Sequence, residues 1–463
     1  MTLIKSISGI RGTIGGKPGD NLSPIDVVKF TSAYGMQILQ RSGKKNPTLV
    51  VGRDARISGE MVQNLVMASL QALGINVLNI GLATTPTVEM AVTEAKADGG
   101  IILTASHNPK QWNALKLLNE KGEFISDAEG KAMLQIAETD AYIFTDVDSL
   151  GKITTDDRFT AMHIRHILNL PLVNVEAIKK ANFKVAIDCV NSVGGIAIPQ
   201  LLKALGVENV IELYCEPNGH FPHNPEPLPE HLTDLSDAVR KNKADVGFTV
   251  DPDVDRLAII NEDGSMFGEE YTLVAVADYI LRNKKGNTVS NLSSSRALRD
   301  VTLQHGGNYS AAAVGEVNVV AEMKRVNAVI GGEGNGGIIY PELHYGRDSL
   351  VGIALFLSHL AITGKKCSEL RASYPAYEIS KNKIELSPST DVDALLKKVE
   401  AKFGAEPNVT VSTIDGVKLD FPTEWVHLRK SNTEPIIRIY AESKSAADAN
   451  ALALKIMDEV KRL

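Results

Sequence analysis

The stretch Gly99-Gly100-Ile101-Ile102-Leu103 is an apolar run of strand length that passes directly into the polar residues Thr104-Ala105-Ser106. Similar runs, each followed by a polar loop and a helix-like segment, recur along the first three quarters of the chain. The clearest of them lie at 49–51, 77–80, 184–188, 245–250 and 288–292. This alternation of strands and helices predicts α/β units with parallel strand pairing.

Length and composition indicate an ordinary folded protein of several domains. At roughly 150 residues per domain, 463 residues correspond to about three domains, with four possible. The net charge of −7 argues against a general nucleic-acid binder, which would carry a basic excess. The sequence has no apolar run of about 18 residues, no apolar stretch typical of a secretory signal at its start, and only three scattered cysteines. We therefore expect a cytoplasmic protein without membrane or nucleic-acid partners.

The pattern changes after about residue 380, where a helix at 392–403 is followed by strands near 409–414, 425–428 and 436–441 and by a final helix. Successive strands joined by turns predict a small α+β domain. We place four domains at 1–152, 153–262, 263–376 and 377–463. The first three are α/β domains that would contain a serine loop, an acidic loop and a glycine-rich loop, and the fourth would contain a basic turn.

The acidic loop is Val250-Asp251-Pro252-Asp253-Val254-Asp255-Arg256, in which three carboxylates alternate after a strand-like run. They would repel one another unless a divalent cation neutralised them, and oxygen ligands suit Mg²⁺ or Ca²⁺. An EF-hand needs glycine at the sixth position, where Arg256 stands, and needs helices where this sequence has strand-like runs. The pattern predicts a metal site with Asp251, Asp253 and Asp255 as ligands.

The serine loop is Thr104-Ala105-Ser106-His107-Asn108-Pro109. A serine just past the carboxyl end of a buried strand lies where open α/β sheets expose their ligand sites. Adjacent Ser and His residues rarely point the right way for a nucleophile–base hydrogen bond, and the Gly-x-Ser-x-Gly elbow is absent. An acyl-transfer triad is therefore disfavoured, and an ordinary polar loop is the alternative for this segment alone.

The glycine-rich loop is Gly331-Gly332-Glu333-Gly334-Asn335-Gly336-Gly337, between two strand-like runs. Glycines let the backbone approach a ligand closely, while Glu333 and Asn335 suit sugar hydroxyls. A tight hairpin is the alternative, and a Walker loop is excluded because no Lys-Ser/Thr pair follows.

The basic turn runs from Arg429-Lys430-Ser431-Asn432-Thr433 to Arg438 and concentrates guanidinium, hydroxyl and amide donors. Such donors make an anion site, and in an acidic protein this local excess indicates phosphate. A solvated basic turn is the alternative.

These four loops, in this order, and the motif Ser8-Gly9-Ile10-Arg11-Gly12 resemble the α-D-phosphohexomutase superfamily of phosphoglucomutases, phosphomannomutases and phosphoglucosamine mutases. The five motifs cover nearly the whole chain. Pro217-Asn218-Gly219-His220-Phe221-Pro222 is also similar to the family's proline-rich segment. The resemblance implies a heart-shaped, four-domain architecture with three similar mixed-sheet α/β domains and a smaller C-terminal α+β domain.

The resemblance also implies roles for individual residues. Ser106 would carry the transferable phosphoryl group, and an oxygen of that group would join the three aspartates around Mg²⁺. Either Arg11 or Lys116 would assist proton transfer from the attacking hydroxyl, and Lys116 and Arg256 would offset charge. We place His107 in the same catalytic group.

The implied reaction interconverts hexose 6-phosphates and hexose 1-phosphates through a bound 1,6-bisphosphate, which also serves as activator. The protein would act as a monomer or homodimer on these small sugar phosphates. Glu333 and Asn335 would hold the sugar in both orientations. The non-transferring phosphate would bind to the basic turn, at Arg429, Ser431, Asn432, Thr433 and Arg438.

Two departures from the commonest family pattern bear on the sugar. Asn335-Gly336-Gly337 replaces Ser-Gly-His, and Ala114 replaces a glycine in Asn113-Ala114-Leu115-Lys116. Asn at this loop position recurs in family members that act on amino sugars. We therefore expect conversion of glucosamine 6-phosphate to glucosamine 1-phosphate, with phosphomannomutase or phosphoglucomutase activity as the alternative.

Two other classes of protein fit parts of the sequence. In a haloacid-dehalogenase-type phosphatase the carboxylate of Asp251 would be the nucleophile, but Asp255 and the serine loop would then have no role. A non-enzymatic phosphosugar-binding or Ca²⁺-binding protein is the second alternative, and turnover with Mg²⁺ and a hexose 1,6-bisphosphate would exclude it.

Overall fold

The structure is a computed structural model that describes residues 2–6, 9–387, 390–430 and 436–462. The chain divides into two compact units. The first comprises Met1–Thr272 and Gly336–Ser368, and the second comprises Leu273–Asn335 and Glu369–Leu463. The serine loop and the acidic loop therefore lie in the same unit, while Glu333 and Arg429 lie in the other.

The first sheet lies in the N-terminal part of the first unit. Its strands are β1 (Ile4–Ser6), β2 (Gly9–Thr13), β3 (Thr48–Arg53), β4 (Asn76–Leu82), β5 (Gly99–Leu103), β6 (Trp112–Leu118) and β7 (Ile153–Thr155). Their order is β1-β2-β6-β5-β3-β4-β7, and β3 pairs in parallel with both β4 and β5. The accompanying helices are α1 (Pro24–Ser42), α2 (Gly59–Ala72), α3 (Thr85–Glu94) and α4 (Asp127–Glu138).

The central strands of this sheet are buried on both faces, as expected for parallel strands between layers of helices. Leu49 and Val51 pack into one apolar cluster with residues of α1 and α2, while Val50 packs into another with residues of α3. Local signals set where the helices begin. Ser23 forms a capping box at α1, and the Thr84 hydroxyl caps α3, whose second residue is Pro86.

The second sheet follows in the same unit. The elements here are α5 (Phe159–Leu168), α6 (Val175–Ala181), β8 (Lys184–Asp188), α7 (Gly194–Ala204), β9 (Asn209–Leu213), α8 (Thr233–Asn242), β10 (Val246–Val250) and β11 (Leu257–Asn261). The strand order is β11-β10-β8-β9, with β11 antiparallel to β10. The acidic loop therefore joins two buried strands, and the exclusion of an EF-hand is confirmed.

A third set of strands and helices continues the α/β pattern. The elements are α9 (Glu269–Asn283), β12 (Asn287–Asn291), α10 (Ala297–Gln304), β13 (Tyr309–Ala312), α11 (Glu316–Val326), β14 (Ala328–Glu333), β15 (Gly337–Ile339), α12 (Ser349–Thr363) and α13 (Cys367–Ala372). In the second unit β12 pairs in parallel with β13 and β14. β15 and α12 belong to the first unit.

The last domain is an antiparallel sheet with two helices. Its elements are β16 (Glu378–Glu385), α14 (Val392–Gly404), β17 (Thr410–Ser412), β18 (Val417–Asp420), β19 (Trp425–Lys430), β20 (Ile436–Ser443) and α15 (Ala446–Lys461). The strand order is β16-β20-β19-β18-β17. Val399 and Phe403 of α14 and Ile456 of α15 pack into the apolar cluster of this sheet.

The predicted fold class, three α/β domains followed by a smaller α+β domain, is confirmed. The strand before the glycine-rich loop includes the first two glycines of that segment, because Gly331 and Gly332 continue the ladder opposite Val289 and Ser290. Glu333 is therefore the last residue of β14 rather than a loop residue. In the part of the chain that the structure describes, no helix combines the length and apolarity needed to cross a bilayer.

Candidate active site

The acidic loop lies at the carboxyl end of β10, and its three aspartate side chains are buried. The backbone N–H groups of Asp255 and Arg256 donate to Asp251 Oδ1, at 3.2 and 3.1 Å, which turns the chain tightly around that carboxylate. Val254 has φ 65°, a conformation that a β-branched residue rarely adopts. Such strain is concentrated at functional sites, where the surrounding contacts hold it.

Both oxygens of Asp251 accept hydrogen bonds, whereas Asp253 and Asp255 each have only one oxygen held by the described part of the protein. Thr85 Oγ1 and Lys116 Nζ bind Asp253 Oδ2 at 2.6 and 2.7 Å, and Arg347 Nη2 binds Asp255 Oδ2 at 2.6 Å. Among the described residues, the buried atoms Asp253 Oδ1 and Asp255 Oδ1 have no hydrogen-bond partner.

The ligand atoms of the three aspartates lie within 4.8 Å of one another. Buried carboxylate oxygens without partners are costly unless a cation neutralises them. The residues present therefore fit a hard divalent cation such as Mg²⁺.

The charges around the acidic loop are strongly coupled. Burial and the neighbouring charges of Asp255 and Asp253 raise the pKa of Asp251 well above its ordinary value. Burial also raises the pKa of Asp253, but the positive charge and hydrogen bond of Lys116 have the larger effect. The pKa of Asp253 is therefore lowered. This asymmetry indicates that Lys116 stabilises Asp253 as an anion, while Asp251 needs further positive charge.

Ser106 belongs to the loop that leaves β5, and it has φ 49°. Its Oγ donates a hydrogen bond to Asp251 Oδ2 at 2.6 Å, across 145 residues of sequence. Ser106 is only 3 % exposed, so its hydroxyl is held against the acidic loop rather than lying free in solvent. The arrangement places the serine oxygen beside the cluster that fits a divalent cation.

The side chains of Ser106 and His107 lie closer together than we expected for adjacent residues, whose side chains usually point apart. Ser106 Oγ lies 3.4 Å from His107 Nδ1, and His107 Nε2 lies 3.9 Å from the nearest Glu226 oxygen. The short bond from the serine hydroxyl goes to Asp251, so a hydrolytic triad is still disfavoured. Burial, together with the charges of Arg256 and Arg11, lowers the pKa of His107 to about 2, so the imidazole is neutral near pH 7.

Two further predicted residues lie in the same unit. Arg11 Nη1 donates to Asn108 Oδ1 of the serine loop at 2.8 Å, and burial lowers the pKa of Arg11. Arg256 is the last residue of the acidic loop, and its Nη1 lies 3.4 Å from Glu226 Oε1. With Lys116, these side chains surround the serine and acidic loops with positive charge, which suits an anionic ligand such as a phosphate ester.

A buried ion pair that the sequence analysis did not single out supports the serine loop. Arg56 Nε binds Asp54 Oδ2 at 3.0 Å, and both side chains are fully buried. The Arg56 guanidinium also donates to the carbonyl of Ser106 and to those of Asn108, Pro109 and Trp112, the last three at 2.7, 2.8 and 3.0 Å. Arg56 therefore fixes the path of the backbone around Ser106.

Arg347 and Thr85 were also missed as partners of the acidic loop. Arg56 and Thr85 could have been predicted as site residues from the sequence. Both lie shortly after the carboxyl ends of parallel strands, as Ser106 does. Arg347 precedes α12 in a segment without such a signal.

Glu333 and Asn335 belong to the second unit and follow one another closely at the end of β14. Glu333 Oε1 accepts from Asn291 Nδ2 at 2.8 Å and from the Gly315 N–H at 3.0 Å, and the residue is only 4 % exposed. Ser294 Oγ accepts from the Gly334 N–H at 2.9 Å. These contacts fix a carboxylate at the end of the strand, where it can accept hydrogen bonds from a polar ligand.

The basic turn joins β19 to β20, and its residues Ser431, Asn432 and Thr433 lie outside the described residues. Arg429 and Arg438 are directly opposite each other on the two strands, and Arg429 Nε lies 2.7 Å from Asp415 Oδ2. Like charges directly opposite on a sheet are destabilising. An anion bound at this turn would relieve that repulsion.

Four models of one protein family match successive segments of this chain. Family models described as phosphoglucomutase/phosphomannomutase match in order: α/β/α domains I, II and III at residues 3–143, 161–264 and 268–377, and the C-terminal domain at 385–459.

Individual relatives cover nearly all of the chain. A phosphoglucomutase/phosphomannomutase of Thermococcus kodakarensis is 35 % identical, over 97 % of this chain and 98 % of that protein. A probable phosphoglucosamine mutase of Methanopyrus kandleri is 32 % identical, over 98 % and 97 %. The crystal structure of a phosphoglucomutase/phosphomannomutase family protein from Burkholderia thailandensis has TM-score 0.84 and 25 % identity, and the match covers 100 % of this chain and 97 % of that one.

Proposed function

The chain belongs to the phosphoglucomutase/phosphomannomutase family of phosphohexomutases, and on that premise we propose that it transfers the phosphoryl group through Ser106. The observation that carries the proposal is the 2.6 Å contact of Ser106 Oγ with Asp251, inside a cluster whose free carboxylate oxygens fit a divalent cation.

In the proposed first transfer, a hydroxyl of the hexose monophosphate attacks the phosphorus of phospho-Ser106, and the bond from phosphorus to Ser106 Oγ breaks. Asp251, Asp253 and Asp255 would hold Mg²⁺, which offsets charge on the transferring group when it is bound. Arg11 or Lys116 would assist transfer of the proton from the attacking hydroxyl, and the released Ser106 Oγ takes up a proton, so that the serine ends as a hydroxyl. Arg256 adds positive charge beside the acidic loop.

The product of this transfer is a hexose 1,6-bisphosphate. It turns around while bound and returns its other phosphoryl group to Ser106, which regenerates the phosphoenzyme and releases the isomeric monophosphate. A site remote from the serine must therefore bind either phosphate. The opposed Arg429 and Arg438 support this role for the basic turn, whose remaining proposed ligands are Ser431, Asn432 and Thr433. Added bisphosphate would act as an activator because it phosphorylates Ser106.

For the sugar, we propose glucosamine phosphate as the preferred substrate, bound through Glu333 and Asn335. The anchored carboxylate of Glu333 suits an ammonium group as well as hydroxyls. Phosphoglucomutase or phosphomannomutase activity is the second candidate, and it is favoured by the name of the Thermococcus relative.

The mechanism is tested by Ser106→Ala. Wild type incubated with glucose 1,6-bisphosphate should gain one phosphoryl group at Ser106, located by intact mass and peptide analysis, and the variant should gain none and lose nearly all turnover. Ser192→Ala is the matched control, since this buried serine binds the Pro252 carbonyl in the acidic loop at 2.6 Å but not the carboxylates. Phosphorylation at Asp251 instead would overturn the serine mechanism and favour an aspartyl-phosphate phosphatase.

The sugar is tested by parallel assays of the phosphorylated enzyme with glucosamine, glucose, mannose and N-acetylglucosamine monophosphates. Glucosamine phosphate should give the highest kcat/KM. A higher value with glucose or mannose phosphate would overturn the glucosamine assignment and leave the serine mechanism standing.

A further inference from the structure

A second cluster of potential metal ligands lies in the first unit, outside the acidic loop. Its members are His163 on α5, His344 between β15 and α12, and Asp348 immediately before α12. Their ligand atoms lie within 4.8 Å of one another. The side chains of His163 and Asp348 are fully buried and that of His344 is 13 % exposed, so the cluster is an interior feature with one member near the surface.

The two imidazoles direct ring nitrogens at the same carboxylate oxygen. His163 Nε2 lies 2.8 Å and His344 Nε2 lies 3.2 Å from Asp348 Oδ2. Ligand atoms bound tetrahedrally to zinc at about 2.0–2.2 Å are roughly 3.3 Å apart. Both nitrogen–oxygen distances are therefore near the spacing of a metal-bound set, and the two imidazole nitrogens lie within 4.8 Å of each other.

The remaining polar atoms of these side chains are held by neighbouring groups. His163 Nδ1 lies 2.9 Å from Thr87 Oγ1, and His344 Nδ1 lies 3.4 Å from Glu89 Oε2, both on α3. Asp348 Oδ1 accepts from the backbone N–H groups of Leu350 and Val351, at 2.8 and 3.2 Å. Histidines that bind metals characteristically donate their other ring N–H to such an acceptor, which fixes the ring orientation and the tautomer.

The charge of the cluster also suits a divalent ion. Asp348 and Glu89 are both buried carboxylates. With neutral imidazoles, the two charges of a divalent cation would offset the two negative charges of Asp348 and Glu89.

We propose that His163, His344 and Asp348 bind Zn²⁺ or a similar transition-metal ion, at a site separate from the acidic loop. Two imidazole nitrogens and one carboxylate oxygen favour such an ion, whereas Mg²⁺ prefers a set of oxygen ligands. The bound ion would tie α5 and the start of α12 together, with α3 held through Thr87 and Glu89. Thr85 at the start of α3 binds Asp253 of the acidic loop. An ion that stabilises α3 would therefore also stabilise the position of that loop.

The experiment titrates the full chain with Co²⁺ after chelator treatment, in saturating Mg²⁺ so that the oxygen ligands of the acidic loop are occupied. One equivalent of Co²⁺ should produce visible d–d absorption of a site with mixed nitrogen and oxygen ligands, and Zn²⁺ should abolish the absorption by displacement. His344→Gln and Asp348→Asn should each weaken Co²⁺ binding at least about a hundredfold. Asp348→Asn retains a residue that caps helices well, so it tests the site even if His344→Gln fails to fold.

Two controls locate the signal. His166→Gln removes another histidine of α5, one with a 41 % exposed side chain, and should leave the titration unchanged. Asp251→Asn should also leave it unchanged. No absorption at one equivalent in the wild type would show that protons alone hold the cluster and would overturn the proposal. So would absorption that survives in both ligand variants, or that disappears in Asp251→Asn.

Discussion

The Arg56 side chain offers the sharpest test of how the serine loop is held. Arg56→Lys keeps the positive charge but replaces a planar, forked donor group with a single ammonium, which cannot reach Asp54 and four backbone carbonyls at once. Those carbonyls belong to residues 106, 108, 109 and 112. The substitution should therefore leave buried acceptors of the loop without a donor.

The magnitude follows from these contacts. Removing one partner of a buried ion pair costs about 3–5 kcal/mol, and an ordinary hydrogen bond to a charged group contributes about 1.5–3 kcal/mol. Because lysine retains the charge and some of the bonds, we expect the free energy of local opening to fall by about 2–4 kcal/mol. At about 1.4 kcal/mol per factor of ten, amide exchange in the loop should become roughly thirtyfold to a thousandfold faster.

Hydrogen-exchange mass spectrometry of peptides covering residues 104–112 measures this change directly. Turnover should fall about a hundredfold, since a displacement of about 1 Å at a reacting group has that effect. Arg53→Lys is the matched control. Arg53 binds Gln63 Oε1 and the Asp54 carbonyl, at 3.1 and 3.2 Å, and among the described residues its side chain makes no hydrogen bond to the serine loop. If Arg56→Lys exchanged at the rate of Arg53→Lys and retained its turnover, Arg56 would not be what positions Ser106.

Three further predictions concern the metal, the remote phosphate and pH. Asp253→Asn should weaken Mg²⁺ activation far more than it weakens binding of the sugar phosphate, because it removes one anionic ligand; an unchanged Mg²⁺ titration would contradict the ligand assignment. Arg429→Ala should raise KM and release more bisphosphate per turnover, while phosphorylation of Ser106 by added bisphosphate survives; leakage equal to wild type would make the basic turn structural. Burial lowers the pKa of His427 to about 4, against about 6.5 for an unfolded chain, so the unfolded state binds the proton first as the pH falls. Protonation of this group should therefore cost up to about 3 kcal/mol of stability as the pH falls from 6.5 to 4, and urea unfolding of His427→Gln should show a correspondingly smaller loss. An identical pH dependence in variant and wild type would show that folding does not shift the pKa of His427.

The sequence by itself determined the parts of the site that depend on local order. An apolar run sufficient for a buried strand, followed at once by polar residues, predicted β5 with Ser106 after it and β10 with the acidic loop after it. Alternating carboxylates in one short loop predicted a cation site without reference to any neighbour, because their repulsion is a local property. Glycine is a poor strand former, so the local pattern alone does not decide where β14 ends; pairing with β12 keeps Gly331 and Gly332 in the strand.

Tertiary structure alone decided which residues meet at the acidic loop. Lys116 lies 137 residues before Asp253, and Arg347 lies 92 residues after Asp255, yet both bind those carboxylates directly. The same is true of the Arg56 contacts with the serine loop and of the cluster of His163, His344 and Asp348. The pattern of strands and helices indicates which edge of a sheet carries ligands, but not which sheets share an edge or in what register. Those choices depend on the packing of whole layers, and that packing brings together buried charges that no spacing in the sequence relates.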